Sequence, residues 1–133
     1  MRKDIEITEV KDVHMAIVSQ YNEEFQVDDW YAYVINKSSQ DLETVLIVSK
    51  GFNEEQNKET SLMRHKVDHL PAGSAAKVEL IQPELLEQMD NLFNLTYFSE
   101  GKMFDKQFEF KRGTVNLDSI QEIPEIGHKG LIQ

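Results

Sequence analysis

Apolar and polar residues alternate along much of this chain with a period of two, the signature of extended segments with one covered face. From Val13 to Tyr21 the pattern puts Val13, Met15 and Ile17 on one side and His14, Ala16 and Val18 on the other. The densest β-forming stretch is WYAYVINKSSQDLETVLIVSKGF, residues 30–52. Its two β-branched and aromatic runs, 30–36 and 44–49, flank a turn-favouring segment at 37–43. It reads as an antiparallel pair joined by a short loop. Both runs are apolar at successive positions, so both faces of that pair need covering by another sheet, a tail or a second subunit.

The flanking segments are read the same way. Residues 1–12 offer only Ile5, Ile7 and Val10 as apolar contacts and predict a short edge strand or a docked arm. Residues 22–29 link two strands, and the polar stretch GFNEEQNKE at 51–59 predicts a mobile tip. In the strand expected at 60–69, Ser61, Met63, His65, Val67 and His69 share one face, and Leu62, Arg64, Lys66 and Asp68 share the other. Pro71 and Gly73 end it. Ala76, Val78 and Leu80 alternate in the next strand, and Pro83 opens one or two helical turns, PELLEQMD. Phe93, Leu95 and Tyr97 lead into a tight turn at Glu100-Gly101-Lys102, with Phe104, Phe108 and Phe110 on the return strand. Asn116 is expected to cap a short helix running to Ile123, inside a weakly patterned tail at 113–133 whose apolar Leu131-Ile132 suggests docking on the body or a neighbour.

About seven strands with turn signals between them, and no helix long enough for a parallel crossover, predict an all-β fold. The expected architecture is an antiparallel β-sandwich of immunoglobulin-like type, a single domain over residues 1–133, with closure into a small barrel as the alternative.

Composition narrows the function classes. The 133 residues contain no cysteine, which removes disulfides, thiolate metal sites and cysteine nucleophiles together. No apolar run approaches membrane-spanning length and the N-terminus lacks a secretory core, so a cytoplasmic protein without membrane contact is expected. The net charge of −10 repels phosphate backbones, so nucleic-acid binding is disfavoured.

Candidate chemistry is sparse. Glu23, Glu24, Asp28 and Asp29 surround Phe25 and Val27 but lack the glycine and the alternating acids of a calcium loop. His65 and His69 are the candidate metal ligands. Four residues apart on a regular strand, they stand roughly 13 Å apart and need a bulge, or help from His14 or His128, to share an ion. Against this stands the plainer reading of histidines on a mixed surface. Arg64 and Lys66, with His65 nearby, form the basic patch of an acidic chain, suited to a small anion or an acidic partner segment; cross-strand pairing with glutamates would explain them equally. No GxSxG elbow, phosphate loop or HExxH occurs, and no cofactor is expected. Tyr31 and Tyr33 alternate with Trp30, Ala32 and Val34, so one face of the central pair is a candidate surface for a homodimer.

Several of these segments carry a resemblance. QYNEEF at 20–25, Trp30 with VIN at 34–36, LIVSKG at 46–51, MRHK at 63–66 and KMFDK at 102–106 resemble a family of small uncharacterised proteins of Bacteroidetes-type bacteria. Members of that family often carry the label phenylalanyl-tRNA synthetase subunit alpha. The resemblance implies a tRNA-linked accessory as one reading and draws attention to 63–66 and 102–106. The synthetase's catalytic subunit is much longer and bears arginine-containing ATP motifs that do not occur here, so no catalytic residue carries over. The expectation is a non-enzymatic binding protein that contacts another protein or itself through Arg64, His65, Lys66, Tyr31 and Tyr33. The alternative is a small metal- or anion-binding protein or enzyme centred on His65 and His69.

Overall fold

The computed structural model describes residues 7–133 and shows two packed β-sheets with one short helix. The long strands are β2 (Val13–Asn22), β3 (Val27–Asn36), β4 (Leu42–Asn53), β6 (Met63–Leu70), β7 (Ala75–Ile81), β8 (Asp90–Ser99) and β9 (Lys102–Phe110). Short strands β1 (Ile7–Thr8), β5 (Lys58–Glu59), β10 (Gln121–Ile123) and β11 (His128–Ile132) extend the edges, and α1 spans Pro83–Gln88. Sheet A has the order β1-β9-β8-β4-β5, with β6 also paired to β4; sheet B has the order β10-β11-β2-β3-β7. All pairings are antiparallel except β1 with β9. An antiparallel β-sandwich is therefore the fold. The constant-type immunoglobulin order puts the fourth long strand beside the fifth; here β6, the fourth, lies beside β4 in sheet A.

Most residues expected to point inward do so; in β7 an irregularity opposite Ala32 and Tyr33 shifts the alternation, so that Leu80 is 54% exposed and Ile81 is buried in its place. Met15, Ile17, Ala32 and Val34 of sheet B meet Val45, Ile47, Phe93, Leu95 and Tyr97 of sheet A in one core. Phe93 and Phe110 meet edge to face, with ring centroids 5.7 Å apart, an arrangement favoured by the ring quadrupoles. The expected reversal at Glu100-Gly101 is present, with both residues at positive φ between β8 and β9. The turn at Pro83 forms α1.

Two further expectations are corrected, and the polar links between strands take a definite form. The runs at 30–36 and 44–49 do not pair: β3 lies in sheet B and β4 in sheet A, so the two strands face each other across the core. Their apolar pattern suits either arrangement, and the long-range partners β2, β7, β6 and β8 decide it. The polar stretches at 22–29 and 51–59 are two versions of one tight hairpin, NEEFQV and NEEQNK. In each, the asparagine Oδ1 accepts the N–H three residues on, at 3.2 Å, and the fifth residue, Gln26 or Asn57, takes a positive φ. Finally, 116–123 is not helical: a local turn around Asn116 leads into β10.

The tail docks on its own chain. β11 pairs with β2, and Ile123, Ile126 and Ile132 pack with Ala16, Val18, Tyr33 and Ile35 on the outer side of sheet B, making a second, smaller core. Gly130 allows the approach, because a Cβ there would lie 2.7 Å from the Ile17 carbonyl oxygen and 2.9 Å from Ile123 and Val18 side-chain atoms. Ile5, one of the apolar contacts expected in the arm, lies outside the described residues.

Candidate functional site

Strand β6 follows the expected alternation from Arg64 to Asp68, whereas Met63 and His69 at its ends are exposed and Leu70 is buried. His65 and Val67 turn toward the sandwich interior and are half-buried, whereas Arg64, Lys66 and Asp68 are exposed on the outer side of sheet A. The basic patch is thus split from its histidine. His65 Nε2 lies 2.9 Å from Glu79 Oε1, and Ser49 Oγ donates to the same oxygen at 2.6 Å. Ser49 comes from β4, His65 from β6 and Glu79 from β7, so this cluster ties sheet A to sheet B beside a cavity of about 300 Å³. Both partners address one carboxylate oxygen. A nucleophilic relay would instead place the imidazole between the hydroxyl and the acid.

His69 is elsewhere. Its Nδ1 lies 2.8 Å from Glu43 Oε1 and its Nε2 lies 3.6 Å from Asp41 Oδ2, in an exposed setting. His65 and His69 therefore hold separate carboxylates, and His14 Nδ1 lies 3.0 Å from the Gln133 carbonyl oxygen. Among the described residues no group of three His, Asp or Glu side chains could hold a metal ion.

Tyr31 and Tyr33 lie on the outer side of sheet B. Tyr33 is buried under the tail and accepts a hydrogen bond from Gln20 Nε2. Lys77 Nζ sits 3.9 Å from the centre of the half-exposed Tyr31 ring. The chain's own tail thus occupies much of the face that the alternation offered to a partner.

The outer side of sheet A has a different character, which register makes explicit. Residues opposite one another on paired strands share a face, giving a row Lys66, Leu46, Thr96, Asp105 and a second row Arg64, Val48, Asn94, Gln107. A third row runs Lys50, Leu92, Glu109, and Phe98 stands opposite Met103 beyond the first. The face carries Arg64 and Lys66 with Asp68 on β6, Leu46 and Val48 with Lys50 on β4, mixed residues on β8, and the acids Asp105 and Glu109 on β9. Leu46 and Phe98 are each 38% exposed. Asp105 accepts hydrogen bonds from Asn94 Nδ2 and Thr96 Oγ1, which fix the carboxylate on this face. The sequence signal for β6 was legible, whereas the part played by β8 and β9 required the register.

Comparison with family models, curated proteins and solved structures gave no match to the chain. No helix among the described residues is long and apolar enough to cross a membrane.

Proposed function

We propose that the protein is a non-enzymatic binding module whose contact surface is the outer side of sheet A, and that its partner is a protein. The observation that carries this reading is the contrast between the two outer faces. Sheet B is sealed over Ala16, Val18, Tyr33 and Ile35 by Ile123 and Ile126, with Leu80 left exposed at its β7 edge, whereas the middle of sheet A displays Leu46 and Phe98 on a face that also carries exposed Arg64 and Lys66. An apolar centre with a charged rim is the composition of a protein interface. Arg64 and Lys66 keep the role of polar contacts, and Leu46 and Val48 of β4 supply the apolar part. Tyr33 gives up its role because the tail covers it, and the half-exposed Tyr31 is instead paired with Lys77.

A photo-crosslinking residue at position 46 or 98, compared with one at position 80 on sheet B, tests this in cells. The reading expects a discrete protein adduct from 46 and 98, lost on adding Arg64→Glu and Lys66→Glu. Adducts from position 80 alone, or from none of the three, would overturn it.

A second reading, a small-ligand site, has the cavity beside Glu79 in its favour. It places Glu79 and Ser49 as polar contacts, and metal analysis of the purified protein with His65→Ala as control would test the metal version. The tRNA-linked reading predicts salt-dependent RNA binding, which the net charge of −10 opposes.

A further inference from the structure

The charge gradient across sheet A selects a particular partner for the proposed contact face, and this step rests on that reading. Lys66 and Arg64 lie on one edge of the four central strands, and Asp105 and Glu109 lie on the other, with Leu46, Val48 and Leu92 between them. We infer that the face is self-complementary and receives a second copy of this chain, related by a twofold axis that runs along the strands.

The argument is one of symmetry. Two like sheets can meet face to face about 10 Å apart with their strands nearly aligned, and a twofold axis in the contact plane can run along the strands or across them. An axis across the strands and centred on the Arg64 and Lys66 rows lays β6 on the partner's β6, so these two meet their own copies; moved toward Asp68, it leaves the Lys50, Leu92 and Glu109 row outside the contact. An axis along the strands lays β6 on the partner's β9 and preserves the rows. Lys66 then faces the partner's Asp105, Arg64 approaches the partner's Gln107 and Glu109, and Leu46 and Val48 close over the centre. Like charges at an interface cost several kcal/mol and opposite charges fix register, so the second arrangement is selected.

Two features bear on its strength. Lys66 Nζ already lies 3.3 Å from Asp68 Oδ1, but both side chains are largely exposed, and such a pair contributes little and can be exchanged. The whole-molecule charge of −10 repels a second copy. At physiological salt, screening over about 8 Å suppresses that repulsion between molecular centres more than it suppresses contacts in the interface. Association is therefore expected to be weaker at very low ionic strength than near physiological salt. Four strands of this length form a contact at the small end of stable interfaces, so the dimer is concentration-dependent.

Sedimentation equilibrium over a wide concentration range tests the inference on the full chain. One variant carries Arg64→Glu, with Lys66 kept to face Asp105; the other carries Gln107→Lys and Glu109→Lys, leaving Asp105 in place because it holds Asn94 and Thr96. Near-ultraviolet circular dichroism and thermal melting confirm that both fold. The wild type is expected to dimerise, each variant alone to lose at least tenfold in affinity, and an equimolar mixture of the two to recover a heterodimer, since position 64 of each copy then meets opposite or neutral groups at the partner's 107 and 109. A wild type that stays monomeric at millimolar concentration overturns the inference, as does a mixture with no recovery. If crosslinking from position 98 still captures a different protein, the contact face survives and only its occupant is wrong.

Discussion

Two residues illustrate how single positions constrain this sandwich. Gly130 is needed for close approach, because an added Cβ would press on the Ile17 carbonyl and the Ile123 side chain. Gly130→Ala is expected to cost about 1–3 kcal/mol, as overpacking does, measured as a lower urea midpoint with faster amide exchange in β11. Nothing near Gly130 in sequence announces this, since the atoms it would strike belong mostly to β2. Tyr97 is the other. Burial, reinforced by the Asp12 carboxylate, pushes its hydroxyl from 10.0 up to about 12. The neutral phenol is the form favoured by the fold, so this contribution is complete below pH 10 and is lost as pH rises from 10 to about 12. A loss of roughly 2–3 kcal/mol is expected across that window. Tyr97→Phe should flatten that part of the stability profile; an unchanged alkaline slope would contradict the assignment.

At the scale of elements, alternation was readable and pairing was not. The faces of the middle of β6, Arg64 to Asp68, follow directly from its sequence, because a period of two needs no knowledge of neighbours, whereas its ends depart from the alternation. The expected pairing of 30–36 with 44–49 failed because two apolar runs separated by a turn can share a sheet or oppose each other across a core, and only distant strands distinguish these. The tail was legible as something that docks, and unreadable as strands: its apolar residues are few, and Gly130 breaks the pattern where β11 meets β2. Ile123→Asp should therefore destabilise the protein by about 3 kcal/mol or more through a buried unpaired charge, and should expose Tyr33 and Ile35, giving increased dye binding and aggregation. The Ser49–Glu79–His65 cluster was missed because its members come from three strands. If it serves only to tie the sheets, Ser49→Ala should cost about 1 kcal/mol and leave self-association unchanged in sedimentation. A change in association without a change in stability would assign the cluster to the contact instead.

For the molecule as a whole, net charge and its placement act in opposite directions. The net charge of −10 disfavours polyanions and keeps copies apart at long range. The arrangement on sheet A, with its basic β6 and acidic β9 edges, creates a local match that the composition hides. The sandwich also treats its two outer sides unequally, covering much of one with its own tail and leaving the other uncovered by the described chain. The most direct test of that asymmetry is a map of amide and methyl chemical shifts recorded from dilute to near-millimolar protein. Concentration-dependent movement is predicted at Leu46, Val48, Leu92, Phe98 and Met103, while Val18, Tyr33 and Ile123 stay fixed. Movement confined to the outer side of sheet B or to the Phe25 hairpin, or no movement anywhere, would contradict the account.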